Sequence, residues 1–206
     1  MSPKKWAERW ARASAQPLEL VPVAPHELDD AREHVDVLLE RVSPGAEPVD
    51  AGTAASAGAS DHQHRHAVRL YAETVALVVS ADHELAAQDE VDLEDLALVP
   101  LLDHPDHAAQ WPAPLPWQDP SWAPTDSLTT LELVATGLGG ALLAQPLARH
   151  LSSKRAHKVL TVTHGGQSLL PGTEIWATWA ASRDADDVQH LIGVLRGRTS
   201  RSSRAS

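Results

Sequence analysis

Three groups of residues have the types and spacing for chemistry. Thr125-Asp126-Ser127 stands directly before an apolar helical run that begins at Leu128. Two hydroxyls beside the free N–H groups of a helix start can hold an anionic or polar small molecule. The same triplet also reads as an ordinary cap contributing about 1 kcal/mol, and Asp126 would repel an anion. Asp61-His62-Gln63-His64-Arg65-His66 places three imidazoles at i, i+2 and i+4, one face of a strand, where they can ligate a divalent ion. The run lies in low-complexity sequence without a supporting shell, which favours a pH-responsive charge cluster over a resident metal. Arg41, ending the run VDVLLER, can pair with a carboxylate or stay a solvated surface arginine.

Other motifs point away from catalysis. His83 has no G-x-S-x-G partner motif, so an acyl-transfer triad is not supported. Gly137-Leu138-Gly139-Gly140 follows a helix and precedes a strand, the reverse of a nucleotide fingerprint, and reads as a helix stop with close packing. Cysteine is absent, which excludes thiolate metal centres, a thiol nucleophile and a disulfide framework. The expectation is no enzyme, no cofactor and no metal.

The elements that must position these residues follow from composition and pattern. The chain has 206 residues, 43% of them hydrophobic, and a formal charge of −11. That length suits one domain or one fold in two lobes, and buries enough surface to need no staple. Lys4, Lys5, Arg9 and Arg12 against Glu8 give the first twelve residues +3, and Arg196, Arg198, Arg201 and Arg204 give the last eleven +4, which leaves −18 for the body. A body so acidic repels phosphate backbones, so no direct DNA binding is expected. No apolar run approaches the roughly 20 residues that span a bilayer, and the first 16 residues lack a signal-peptide core. A cytoplasmic protein with no membrane contact is expected.

Along the chain, helical and extended patterns alternate. Trp6, Trp10 and Ala13 predict a helix over 3–13, with Ser2 as N-cap. LELVPV (18–23) predicts a strand, PHELDDAREH a helix, and VDVLLERV (35–42) a second strand. Residues 43–66 read as a flexible loop and 199–206 as a disordered tail. AVRLYAETVALVVS (67–80) predicts one strand long enough to cross between lobes, and LVPLL another strand. With five prolines and three tryptophans, 111–124 is a loop that either folds over a cleft or tucks against its own lobe. A helix follows with Leu128, Leu131, Val134 and Ala135 on one face, then the strand ALLA, the helix QPLARHL, the strands KVLTVT and EIWATWA, and a closing helix. Strands alternating with helices predict an α/β fold with mostly parallel sheets.

Three segments carry a resemblance. LYAETVALVVSADHELAAQDEVDLEDLA (70–97) is similar to the central crossover of LysR-type effector-binding domains. LELVATGLGGALLAQPLA (131–148) resembles that family's helix–turn–strand, and Asp36-Val37-Leu38 stands where the family has a strand. The closing residues also resemble stand-alone actinobacterial members, and the likeness covers roughly 1–198 outside 43–66.

The resemblance implies a two-lobed, periplasmic-binding-protein-like type II fold with two crossover strands. Lobe I would be 1–74 plus 160–206 and lobe II 75–159, with a small polar or anionic metabolite held between them. It also implies a homodimer, or association with a separate DNA-binding protein. On the family pattern Ser2 falls in a ligand-contacting loop and Gln145 at the cleft edge, joining Arg41, Thr125, Asp126 and Ser127 as candidate ligand residues. Nothing before residue 18 matches the family's winged helix-turn-helix, and its opening strand has no counterpart, so a late-assigned start or a shortened chain is expected. The function implied is effector sensing for transcription regulation. A solute-binding protein of a transporter, or a small α/β enzyme, is the alternative.

Overall fold

The structure is a computed structural model, and it describes residues 3–23, 27–48, 64–163, 167 and 170–197. Ser2, most of the 43–66 loop and the 199–206 tail lie outside the described residues. The chain divides into two compact units. The first comprises Met1–Val42, Ala46–Tyr71 and Ile175–Ser206, the second Ser43–Gly45 and Ala72–Glu174. The chain passes between them after Val42, Gly45, Tyr71 and Glu174.

In the first unit, α1 (Pro3–Ala13), α2 (Leu28–His34), β1 (Leu38–Val42), β2 (Arg65–Ala72), β7 (Glu174–Ala180) and α6 (Asp186–Leu195) build a three-stranded sheet of order β1-β7-β2 with its helices. Alternation along β7 sorts its side chains. Ile175, Ala177 and Trp179 join Trp6, Val188, Ile192 and Leu195 in one apolar cluster. Thr178 turns the other way, and its hydroxyl donates to Glu40 at 2.7 Å. Glu40 is buried, and Arg32 of α2 reaches its other oxygen at 2.8 Å.

The run 18–23 forms no strand. Pro17 and Pro22 lack the N–H groups a ladder needs, and Leu20 and Val21 are 45% and 59% exposed.

In the second unit, β3 (Val75–Ser80), β4 (Glu90–Val91), β5 (Ala141–Ala144) and β6 (His157–Val162) form a sheet of order β4-β6-β3-β5, with α3 (Leu93–Leu96), α4 (Ser127–Ala135) and α5 (Gln145–Leu151). Every residue of β3 is buried, which its unbroken apolar sequence requires of a strand covered on both faces. Leu142, Leu77 and Leu160 align across the sheet on one face, under Leu96, Val99 and Trp111. Leu143, Ala76, Val78 and Ala141 face the other way, against Leu131 and Val134 of α4 and Ala148 of α5.

This sheet is mixed rather than mostly parallel. β4 runs parallel to β6, while β3 is antiparallel to both β5 and β6. The expected long strand 67–80 is two strands, β2 and β3, separated at Glu73-Thr74, where the Glu73 N–H donates to Thr173 O at 2.8 Å. β6 pairs with β3 along its length and lies in the second unit, although the sequence reading assigns 160 onward to the first. LVPLL makes only isolated bridges at Leu101 and Leu102, since Pro100 has no N–H to give.

Candidate functional site

Strands β4, β5 and β6 point the same way, so their carboxyl ends share one edge of the second sheet, the edge where open α/β sheets hold ligands. Gln145, first residue of α5, follows the last residue of β5 there. Its backbone N–H donates to Thr74 O at 2.8 Å. Its Oε1 accepts from the Thr74 hydroxyl at 3.0 Å, and its Nε2 donates to Thr161 Oγ1 at 2.6 Å. Nearby in register, the Thr163 hydroxyl donates to Glu90 at 3.1 Å. Hydroxyls and an amide on short tethers can recognise a polar molecule by hydrogen bonds. Sequence reasoning misses Thr161 and Thr163, whose alternation in KVLTVT is their only signal.

The triplet before α4 divides its labour. Asp126 is the cap: its Oδ1 accepts from Thr129 N–H at 2.7 Å, and that bond holds its carboxyl below the usual carboxylate range. Ser127 is 5% exposed and its hydroxyl donates to Asp106. Thr125 is exposed. The buried face of α4 is Ser127, Thr130, Leu131 and Val134; Leu128, expected on that face, is 55% exposed. The helix stops at Gly137, whose φ of 81° suits glycine, and a Cβ on Gly139 would lie 2.5 Å from Pro100 O.

Asp106 belongs to a segment that sequence reasoning also misses, Asp103-His104-Pro105-Asp106-His107. An open depression of about 240 Å³ is lined by Asp103, His104, Pro105, Ala123 and Pro124. His104 Nε2 lies 3.0 Å from Leu142 O, and His107 Nε2 3.0 Å from Pro112 O. Burial pushes both imidazoles below their ordinary value, and in His104 the neighbouring His107 adds to it. Neither ring is bonded to Ser127, so no serine–imidazole pair forms there.

Arg41 lies exposed near the end of β1. His62 is outside the described residues. Arg65 is buried and donates to Arg32 O at 2.9 Å, while His66 stacks near Trp179 and stands 3.7 Å from Asp184. Among the described residues no three His, Asp or Glu side chains are placed to hold a metal. His83 accepts from Leu85 N–H at 3.1 Å and caps a turn. In the tryptophan–proline loop, Trp111 donates to Pro171 O at 2.8 Å and Trp117 to Asp103 O at 2.9 Å, so two of its three indoles are tucked into the second unit. Trp122 is exposed.

No curated protein sequence matches the chain. Solved structures do. The reduced OxyR regulatory domain from Pseudomonas aeruginosa superposes with a TM-score of 0.59 at 18% identity, covering 93% of this chain and 86% of that one. A reduced form of OxyR from N. meningitidis gives 0.59 at 14%, covering 96% and 88%. The Corynebacterium glutamicum OxyR C206 mutant gives 0.56 at 16%, covering 84% of this chain, which spans about half of that protein at 51%. These likenesses show the fold, a two-lobed type II periplasmic-binding-protein-like α/β architecture. The model of the LysR substrate binding domain matches residues 19–200. On that match the chain belongs to the LysR substrate-binding domain family.

Proposed function

We propose that this chain is the effector-sensing part of a cytoplasmic transcriptional regulator, and that it binds a small polar or anionic metabolite without breaking bonds. The family match over residues 19–200 carries this reading. The carboxyl edge of the second sheet supports it with the Thr74–Gln145–Thr161 hydrogen-bond chain. Gln145 and Thr125 are the effector contacts favoured in this unit; Asp126 caps the helix that Thr125 precedes, and Ser127 is held by Asp106. Arg41 and Ser2 are further proposed contacts.

The chemistry of sensing differs from a thiol switch. Some structural neighbours were solved in reduced and oxidized forms, whereas this chain has no cysteine and cannot form a thiol–disulfide couple. Reversible binding remains, and it acts only as far as the ligand prefers one conformation. No winged helix-turn-helix occurs among the described residues, and no helix among them is long and apolar enough to cross a membrane. DNA contact would then come from another chain or another segment, and the working form would be a homodimer.

A thermal-shift panel of small carboxylic acids, hydroxy acids and neutral amides tests the reading. A true effector at a hundredfold excess over its dissociation constant stabilises the fold by about 2.7 kcal/mol, and Gln145→Ala removes most of that gain. Turnover of a panel compound, or a response unchanged by Gln145→Ala and Thr125→Ala, would count against it.

A further inference from the structure

We propose that His104 and His107 form a proton-operated latch that fastens the 103–124 loop to β5 at neutral pH and releases it in acid. The ladder beside β5 begins with Gly140 N–H donating to Pro100 O and Leu102 N–H donating to Gly140 O, both at 2.8 Å. The next carbonyl of β5 in that series, Leu142 O, is met by the ring of His104 at 3.0 Å instead of by a backbone N–H. His104 thereby holds the loop to an edge strand.

The tautomers follow from the partners. A carbonyl oxygen only accepts, so both His104 and His107 carry their hydrogen on Nε2, facing Leu142 O and Pro112 O. The Nδ1 of each ring is buried with no hydrogen-bond partner. A second proton on either ring would therefore create a buried N–H with no acceptor, in a charged ring removed from water. The rings meet edge-on with centroids 5.5 Å apart, so a charge on one opposes a charge on the other. His107 also packs edge-on against Trp111 at 5.6 Å, an apolar neighbour.

The surrounding charges are few. Asp103 and Asp106 favour the protonated form of His104, and Asp103 that of His107, but burial outweighs them in both. Asp106 is engaged by Ser127 of α4. β5 has no ionisable side chain, Asp119 in the loop is exposed and caps Ser121, and Glu132 of α4 is exposed.

Linkage fixes the sign. Imidazole in water has an ordinary value near 6.5, and both folded rings lie below it. The latch is thus intact above about pH 6.5, and falling pH favours the released loop, by up to about tenfold per pH unit for each histidine that stays neutral when fastened. This device is independent of which effector binds.

The test uses the full chain. Long-range ¹H–¹⁵N NMR of the imidazoles should show two rings as Nε2–H tautomers that remain neutral below pH 6.5, with the Trp111 and Trp117 indole signals changing as those rings finally titrate. Denaturant unfolding between pH 8 and pH 5 should be steeper in pH for the native chain than for the His104→Gln/His107→Gln double variant. Rings that titrate at the ordinary value, Nδ1–H tautomers, or equal slopes for native and double variant would overturn the latch. If the double variant does not fold, the NMR titration of the native chain decides alone.

Discussion

A Cβ added at Gly172 would sit 1.6 Å from the Glu73 carbonyl oxygen, a distance no side chain tolerates without moving the backbone. Gly172→Ala should therefore destabilise the second unit by about 3 kcal/mol or more, because the Glu73–Thr173 link must shift. Gly193 in α6 is the control, since nothing lies within 4 Å of the place its Cβ would take. Gly193→Ala should stabilise by about 0.5–1 kcal/mol through helix propensity. Urea unfolding of both variants checks the pair. A second residue-scale case is Glu40, buried between Arg32 and Thr178. Glu40→Ala should cost about 1–3 kcal/mol, since it removes the acceptor of the buried Thr178 hydroxyl and one of two carboxylates on the 13%-exposed Arg32, which keeps Asp29 at 2.6 Å. Neither contact is legible in the sequence. Glu40 and Thr178 are 138 positions apart, and Glu73 and Thr173 are 100.

Elements with a strong local signature are legible. Trp6 and Trp10 at helical spacing predict α1, and both are buried there. The run 67–80 predicts a strand, and the chain is extended there, although it forms two strands, β2 and β3, rather than one. The 18–23 run shows the limit, because an apolar stretch becomes a strand only if a neighbour offers a ladder and its own prolines permit one. The buried face of α4 differs from the apolar one expected, since Ser127 and Thr130 hide their hydroxyls by bonding Asp106 and Asp126 O. From this follows a prediction for the helix as an element. Asp126→Ala should destabilise α4 by about 1 kcal/mol by orphaning the Thr129 N–H. Circular dichroism melts would register the loss, and Asp126→Ser should restore most of it.

For the whole molecule, the family is readable from three ordered motifs, and the family match over residues 19–200 agrees with that reading. The polar chain at the sheet edge is only partly readable: Gln145 stands out beside its strand, but its partner Thr74 lies 71 positions away. At this scale the account rests on reversible capture of a metabolite. Isothermal titration of the most stabilising compound into the purified chain, with the compound recovered afterwards, tests that most directly. The account predicts saturable binding of one molecule per chain, weakened at least tenfold by Gln145→Ala, with the compound recovered unchanged. Saturable binding to no member of the panel, or recovery of a chemically altered product, would contradict it.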